Sequence, residues 1–170
     1  MTREQEAAIT GRLNDDLVLA LTMFAEAAGD WREGGSSVEE RLAVGSVIRN
    51  RVRTKGRWGT TFRAVCLARL QFSCWNPGLD ANHVRIMAFA ELLADGRPAD
   101  DAVLNETIYL ARGILSGAIL DRTAGATSYY APAAMNPPGA KPAWVYLNGR
   151  NGPEVSPAAV IGAQVFYRGV

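Results

Sequence analysis

One glutamate stands in the most apolar stretch of the chain, and its chemistry gives the first prediction of function. Residues 17–28 read LVLALTMFAEAA, in which Glu26 is the only charged residue. No Lys or Arg is among its near sequence neighbours, so burial would raise its pKa with no cation to offset the shift. A carboxyl that keeps its proton near neutral pH can serve as the general acid that breaks a glycosidic bond. The alternative is a glutamate at a helix end that turns outward to solvent.

Glycoside cleavage usually employs a second group that stabilises or attacks the sugar carbon, so other carboxylates near Glu26 are relevant. The candidates are Asp30, Glu33, Glu39 and Glu40. They lie in a polar loop or in the first turn of the next predicted helix, where solvated charges and helix N-terminal acids are common. No acid pair stands out. This favours a mechanism with one carboxyl, in which a hydroxyl of the substrate is the nucleophile.

Two clusters of aromatic and hydrogen-bonding side chains are typical of a sugar-binding groove, because pyranose rings stack on aromatic faces and their hydroxyls need paired donors and acceptors. Both clusters lie in segments with loop character, where binding sites are common. For any single aromatic residue, a place in the core is the alternative. The first cluster contains Gln71, Phe72, Ser73, Trp75 and Asn76, and the second contains Thr127, Ser128, Tyr129, Tyr130, Trp144 and Tyr146.

The elements that must position these residues are mainly helices. Residues 1–13 are predicted to be a polar, loosely attached lead-in, and residues 14–170 to be a single catalytic domain. After Ile119 the sequence pattern changes: short aromatic or β-branched runs stand between Pro, Gly and Asn residues. These runs predict strands or extended loops. The fold class is therefore α+β, with a small β or loop-rich C-terminal part. Helices are predicted over residues 14–28, 37–53, 61–70, 82–94 and 101–117. In the helix over residues 37–53, Arg41, Arg49 and Arg53 are expected on the outer face.

Composition excludes several other classes of protein. A net charge of +1 over 170 residues offers no overall attraction to nucleic acid, and no apolar run approaches the length of a membrane span. The N-terminus lacks the apolar core of a signal peptide, so we expect synthesis in the cytoplasm.

Cys66 and Cys74 form either a disulfide or two reduced, half-buried thiols. With the single His83, predicted to be an ordinary polar residue on a helix, they fall short of a metal site, and we expect no metal or cofactor.

Four blocks in order resemble the SleB-type cell-wall hydrolases, a family that includes spore cortex-lytic enzymes and phage or prophage lysis proteins. They are MFAEAAGD followed by AVGSVIRNRV, then QFSCWN, GATSYYAP and IGAQVFYR. The resemblance runs from about residue 17 to 167. It implies a lysozyme-like α+β domain that cleaves peptidoglycan between N-acetylmuramic acid and N-acetylglucosamine by lytic transglycosylation, with Glu26 as the catalytic acid and base. Ser128 and Gln164 stand where the family often has histidine.

From the resemblance we expect an endolysin-like protein that acts on the cell wall, delivered through a separately made membrane hole or as part of a phage-like particle. We expect it to be a monomer. It also implies that Gln71, Phe72, Ser73, Thr127, Tyr129 and Tyr130 lie at the cleft. A muramidase that uses water as the nucleophile is the alternative within the enzyme class. A glycan-binding or virion structural module that has lost activity is the alternative outside it, and an amidase or peptidase acting on the peptide stems is a weaker third option.

Overall fold

The computed structural model describes residues 1–27, 36–54 and 56–169, and this part of the protein is mainly helical with one small antiparallel sheet. This architecture confirms the predicted α+β class, with the helices first and the sheet in the C-terminal part. None of the helices in these residues combines the length and the apolar character that a bilayer-spanning helix requires. The elements are α1 (Arg3–Arg12), α2 (Asp15–Glu26), α3 (Val38–Arg53), α4 (Phe62–Leu67), α5 (His83–Ala94), α6 (Ala102–Ser116), β1 (Ser128–Tyr130), β2 (Ala159–Ile161) and β3 (Gln164–Tyr167).

Helix α2 is the central helix of the domain. It packs against α3, α4, α5 and α6, and its residues from Val18 to Met23 are buried on every face. This surrounding explains why the segment is apolar all round rather than amphipathic. The helix follows the N-cap Asn14 and ends at Glu26, slightly before the predicted end at residue 28. Residue 28 itself lies outside the described residues.

Helix α3 has the predicted bounds, and a capping box between Ser37 and Glu40 fixes its start. The small residues of α3 permit close packing against neighbouring helices. A Cβ atom added at Gly45 would overlap Ile114 of α6 and lie 2.9 Å from Met23 Sδ of α2. The glycine therefore lets three helices meet without a gap.

The predicted outer face of α3 is wrong for two of its three arginines. Arg41 and Arg49 are 2% and 5% exposed, whereas Arg53 is exposed as predicted. Arg41 donates hydrogen bonds to the Ser36 carbonyl and to the Glu106 carboxylate, and Arg49 donates to the carbonyl of Ile119. Because α6 and the chain after it cover this side of α3, the guanidinium groups are buried with acceptors instead of facing water.

The N-terminal segment is more firmly attached than the sequence predicts. Thr2 caps α1, and Ile9 and Leu13 are buried in the main hydrophobic core. Helix α1 packs against α5, where Glu6 Oε1 lies 3.0 Å from His83 Nε2. The predicted loose attachment is therefore wrong, although the boundary between a lead-in and a catalytic domain remains a prediction.

The sheet has the strand order β1-β3-β2, with both neighbouring pairs antiparallel. Tyr129 pairs with Phe166 across β1 and β3. One face of the sheet packs on α3, where Phe166 and Ala126 meet Ala43 and Val47. The segment PAWVYLNG forms no strand, but a 3-10 turn over Ala143–Val145 followed by a single bridge between Tyr146 and Glu154.

Candidate functional site

Glu26 is the last residue of α2, where the helix passes from the core to a partly exposed position. Its side chain is half-buried rather than fully enclosed. Its backbone carbonyl, one of those that a helix end leaves without an intrahelical partner, accepts a hydrogen bond from Gln164 Nε2 at 3.0 Å. Strand β3 thus holds the end of the helix that carries the carboxyl group.

Three hydrogen-bonding groups from two different segments surround the Glu26 carboxyl. Ser73 Oγ and the Cys74 backbone N–H both lie 3.3 Å from Oε1, and the Tyr129 hydroxyl lies 3.3 Å from Oε2. Ser73 and Cys74 belong to a 3-10 turn over Ser73–Trp75, and Tyr129 to β1. All three distances exceed the usual hydrogen-bond lengths, so each of these contacts is weak.

The electrostatic surroundings favour the protonated form of this carboxyl. Burial raises the pKa of Glu26 and outweighs the lowering by hydrogen bonds from Cys74 and Tyr129, while the charge of Asp80 raises the pKa further. None of the ion pairs among the described residues includes Glu26. The geometry therefore suits a group that holds a proton until a substrate takes it.

Arg51 joins the two clusters that the sequence singles out. Its Nε donates to the carbonyl of Thr127 at 2.7 Å, and its Nη1 donates to Gln71 Oε1 at 3.2 Å. The guanidinium carbon lies 5.2 Å from the centre of the Phe72 ring and 5.6 Å from that of Trp58. Burial lowers the pKa of Arg51, although the charges of Tyr129, Cys66 and Glu26 act in the opposite direction.

The structure brings together some of the predicted site residues. Ser73 and Tyr129 reach Glu26 directly, whereas Gln71, Phe72 and Thr127 surround Arg51. Ser128 is half-buried at the start of β1.

Other predicted residues lie apart from this group. Trp75 packs against the main core and donates from Nε1 to Thr22 Oγ1 at 2.9 Å. Neighbouring residues of a strand point to opposite faces, so Tyr130 faces away from Tyr129. It lies in an aromatic cluster with Trp144 and Tyr167, in which the Tyr130 and Trp144 ring centres are 6.0 Å apart.

Sequence reasoning missed the roles of Asp80 and Arg51. Asp80 lies in the turn WNPGLD, where an acidic residue before a helix is ordinary, and no periodicity connects it to Glu26. Arg51 stands within the Asn-Arg-Val block, but its helical pattern does not show that its long side chain bridges two distant segments. Gln164 was noted only as a departure from the family pattern.

The cysteines and the histidine do not form a nucleophilic pair. Cys66 and Cys74 are free, which selects the reduced alternative, but both are fully buried rather than half-buried as predicted. Burial raises the pKa of Cys66 to about 12 and raises that of Cys74 as well, so neither favours the reactive thiolate.

His83 lies on a helix as predicted, at the first residue of α5, but it is not the ordinary polar residue expected there. His83 is buried, and its Nδ1 lies 2.9 Å from the Cys74 carbonyl oxygen, so it braces the turn beside Glu26. Within the described ranges, no three His, Cys, Asp or Glu residues are grouped closely enough to hold a metal ion.

A mainly helical α+β domain with a glutamate of raised pKa between a helix end, a turn and a small sheet has the features of an acid–base enzyme site. The sequence model of the cell wall hydrolase family matches residues 35–167. The chain belongs to this family, which supports an enzyme that acts on peptidoglycan. The match includes Arg51, Ser73 and Tyr129 but begins after α2, so Glu26 lies outside it. No curated protein and no solved structure shows significant similarity to the chain.

Proposed function

We propose that the protein is a lytic transglycosylase that cleaves the glycosidic bond between N-acetylmuramic acid and N-acetylglucosamine. Glu26 is the catalytic acid and base. The observation that carries this proposal is the position of its carboxyl: half-buried, with long hydrogen bonds to Ser73, Cys74 and Tyr129, and with a pKa raised chiefly by burial. Family membership supplies the substrate class.

The reaction needs one carboxyl in two protonation states. Protonated Glu26 donates its proton to the glycosidic oxygen as the bond from that oxygen to the muramic C1 breaks. The resulting carboxylate then accepts the proton of the muramic C6 hydroxyl, whose oxygen bonds to C1 and closes a 1,6-anhydro ring. The hydrogen bonds from the Cys74 N–H and the Tyr129 hydroxyl, both at 3.3 Å, can shorten once Glu26 is charged, which stabilises the carboxylate when it forms.

The other described carboxylates near α2 support a mechanism with one carboxyl. Glu40 is engaged with Ser37 and with the Ala163 backbone N–H, and Glu39 is exposed in the first turn of α3. Asp80 contacts the same Ser73 hydroxyl as Glu26, so it lies beside Glu26 rather than across a bound sugar, where a second catalytic carboxyl acts. Asp30 and Glu33 lie outside the described residues.

The substrate contacts follow the same geometry. Ser73 and Tyr129 would meet the sugar next to Glu26, and the segments that Arg51 holds, at Gln71 and Thr127, would line the groove beside them. Phe72 and Trp75 would support this groove from the core. Contacts from Ser128, Tyr130 and Trp144 would be more distant. We also propose an endolysin-like monomer that acts on the wall.

Product analysis tests the proposal. Purified peptidoglycan is digested with the protein, and the soluble fragments are analysed by mass spectrometry. We expect muropeptides with 1,6-anhydro-muramic ends, each lighter by one water than the reducing-end product of a muramidase. Glu26→Gln should abolish product formation while folding normally, and Glu39→Gln is the matched control that should retain activity.

Each other outcome has a defined meaning. Fragments with reducing ends would show that the protein is a muramidase and not a transglycosylase. Binding to the wall without fragments would indicate a non-catalytic module. Full activity of Glu26→Gln would remove Glu26 from the mechanism.

A further inference from the structure

The Ser73 hydroxyl lies between two carboxyl groups, and its two distances differ. Ser73 Oγ is 2.7 Å from Asp80 Oδ2 and 3.3 Å from Glu26 Oε1. A serine hydroxyl carries a single proton and can donate it to one acceptor at a time. The shorter distance is normal for an O–H···O hydrogen bond and the longer one is not. Ser73 therefore donates to Asp80, and a lone pair of its oxygen faces Glu26.

Asp80 is itself held in place by the backbone before α5. Its Oδ1 accepts from the Asn82 N–H at 2.7 Å, and its own carbonyl accepts from the His83 N–H at 3.2 Å. Asp80 therefore accepts hydrogen bonds from both Ser73 and Asn82, which fix the position of its carboxyl group. None of the ion pairs in the described part of the chain includes Asp80, so no cation offsets its charge by direct contact.

We propose that Asp80 is a positioning residue that keeps Glu26 in its acid form. Its carboxylate accepts the hydrogen bond of the Ser73 hydroxyl, so that Ser73 Oγ offers an acceptor to the protonated Glu26, and its negative charge opposes ionisation of Glu26. Protonated Glu26 can therefore donate a hydrogen bond to Ser73 Oγ, whereas ionised Glu26 receives no hydrogen bond from Ser73. This inference rests on the proposed role of Glu26 as a catalytic acid.

Other groups face Glu26 and act in known directions. The Cys74 N–H, the Cys74 thiol and the Tyr129 hydroxyl favour the carboxylate, as does the charge of Arg51. Asp80 is thus the negative group that opposes the positive charge of Arg51. Its removal would leave burial as the main influence that holds the proton on Glu26.

The substitution Asp80→Asn tests the proposal without a change of shape. It removes the charge, and the new amide can donate to Ser73 Oγ, which turns the Ser73 proton toward Glu26. Both effects favour the carboxylate of Glu26. In a pH–rate profile of peptidoglycan cleavage, we expect the alkaline limb to shift down by about one pH unit, while the rate on the acidic plateau is retained. Ser73→Ala, which leaves the Asp80 charge in place, should shift the limb by less.

Asp16→Asn is the matched control, because Asp16 lies at the end of α2 opposite to Glu26 and pairs with the exposed Arg112. Its profile should equal that of the parent protein. An unchanged alkaline limb in Asp80→Asn would overturn the proposal, and so would an upward shift.

A second measurement does not depend on activity. A raised pKa means that folded Glu26 binds a proton that the unfolded chain releases, so the parent loses stability relative to Glu26→Gln as pH rises from about 4.5 through the raised pKa. In an Asp80→Asn background this loss should be smaller and should end at lower pH, as followed by thermal unfolding. An identical loss in both backgrounds would refute the role of Asp80 even if the protein cleaved no glycan.

Discussion

Gly162 offers a direct test of how the sheet is docked beside the site. It lies between β2 and β3 with φ +56°, and a Cβ atom added there would overlap the carboxyl of Glu40. Glu40 Oε1 accepts from the Ala163 N–H at 3.2 Å, while its Oε2 accepts from the Ser37 N–H at 2.9 Å. One carboxylate thus joins the start of α3 to the turn that precedes Gln164.

The cost of Gly162→Ala has two parts. The left-handed backbone costs roughly 1–2 kcal/mol for a residue with a side chain. Displacement of Glu40 from Ala163 removes a hydrogen bond to a charged acceptor, worth roughly 1.5–3 kcal/mol. We expect the free energy of unfolding to fall by about 2.5–5 kcal/mol, a large part of the stability of a typical domain.

Urea denaturation followed by circular dichroism measures this loss. The matched control is Gly96→Ala, at φ +71° with no atom within 4 Å of the added Cβ, which should lose only about 1 kcal/mol. Equal losses in the two variants would show that Glu40 does not contact the turn between β2 and β3.

Three further predictions concern the site and its thiols. Tyr129→Phe removes a hydrogen bond that lowers the pKa of Glu26, so the alkaline limb of the pH–rate profile should move to higher pH, while Tyr130→Phe should leave it unchanged; equal profiles would contradict the contact. In Arg51→Lys, the lysine ammonium group cannot replace the planar guanidinium that hydrogen-bonds both Thr127 and Gln71. This substitution should lower the activity of the folded protein at least tenfold. Cys66 and Cys74 should react with a thiol reagent only on unfolding, because both are buried, and fast reaction of the native protein would contradict their placement.

Periodicity and capping residues predicted the helices well, since Ser37, Asp101 and Gly117 are local signals that the structure uses as caps. The burial of Arg41 could not be predicted in this way. A helix that is covered on several sides can have the same sequence pattern of charged residues as an exposed helix. Only the tertiary fold supplies the hydrogen-bond acceptors that allow Arg41 to be buried.

The candidate site was partly accessible from sequence. Glu26 stood out because its neighbours are apolar, and Ser73 and Tyr129 because of their clusters. Asp80 and Arg51 act through contacts between distant segments, which no local pattern encodes. Alternation along β1 also divides Tyr129 from Tyr130, although the sequence alone groups them.

The pKa of the Glu26 side chain is the quantity on which the account depends. Carbon-13 NMR of the glutamate carboxyl carbons, assigned by comparison with Glu26→Gln, measures it in the folded protein. The account predicts a titration clearly above the ordinary value of 4.5. A midpoint at or below that value would mean that Glu26 is ionised when substrate arrives, and it would contradict the role of Glu26 as the acid.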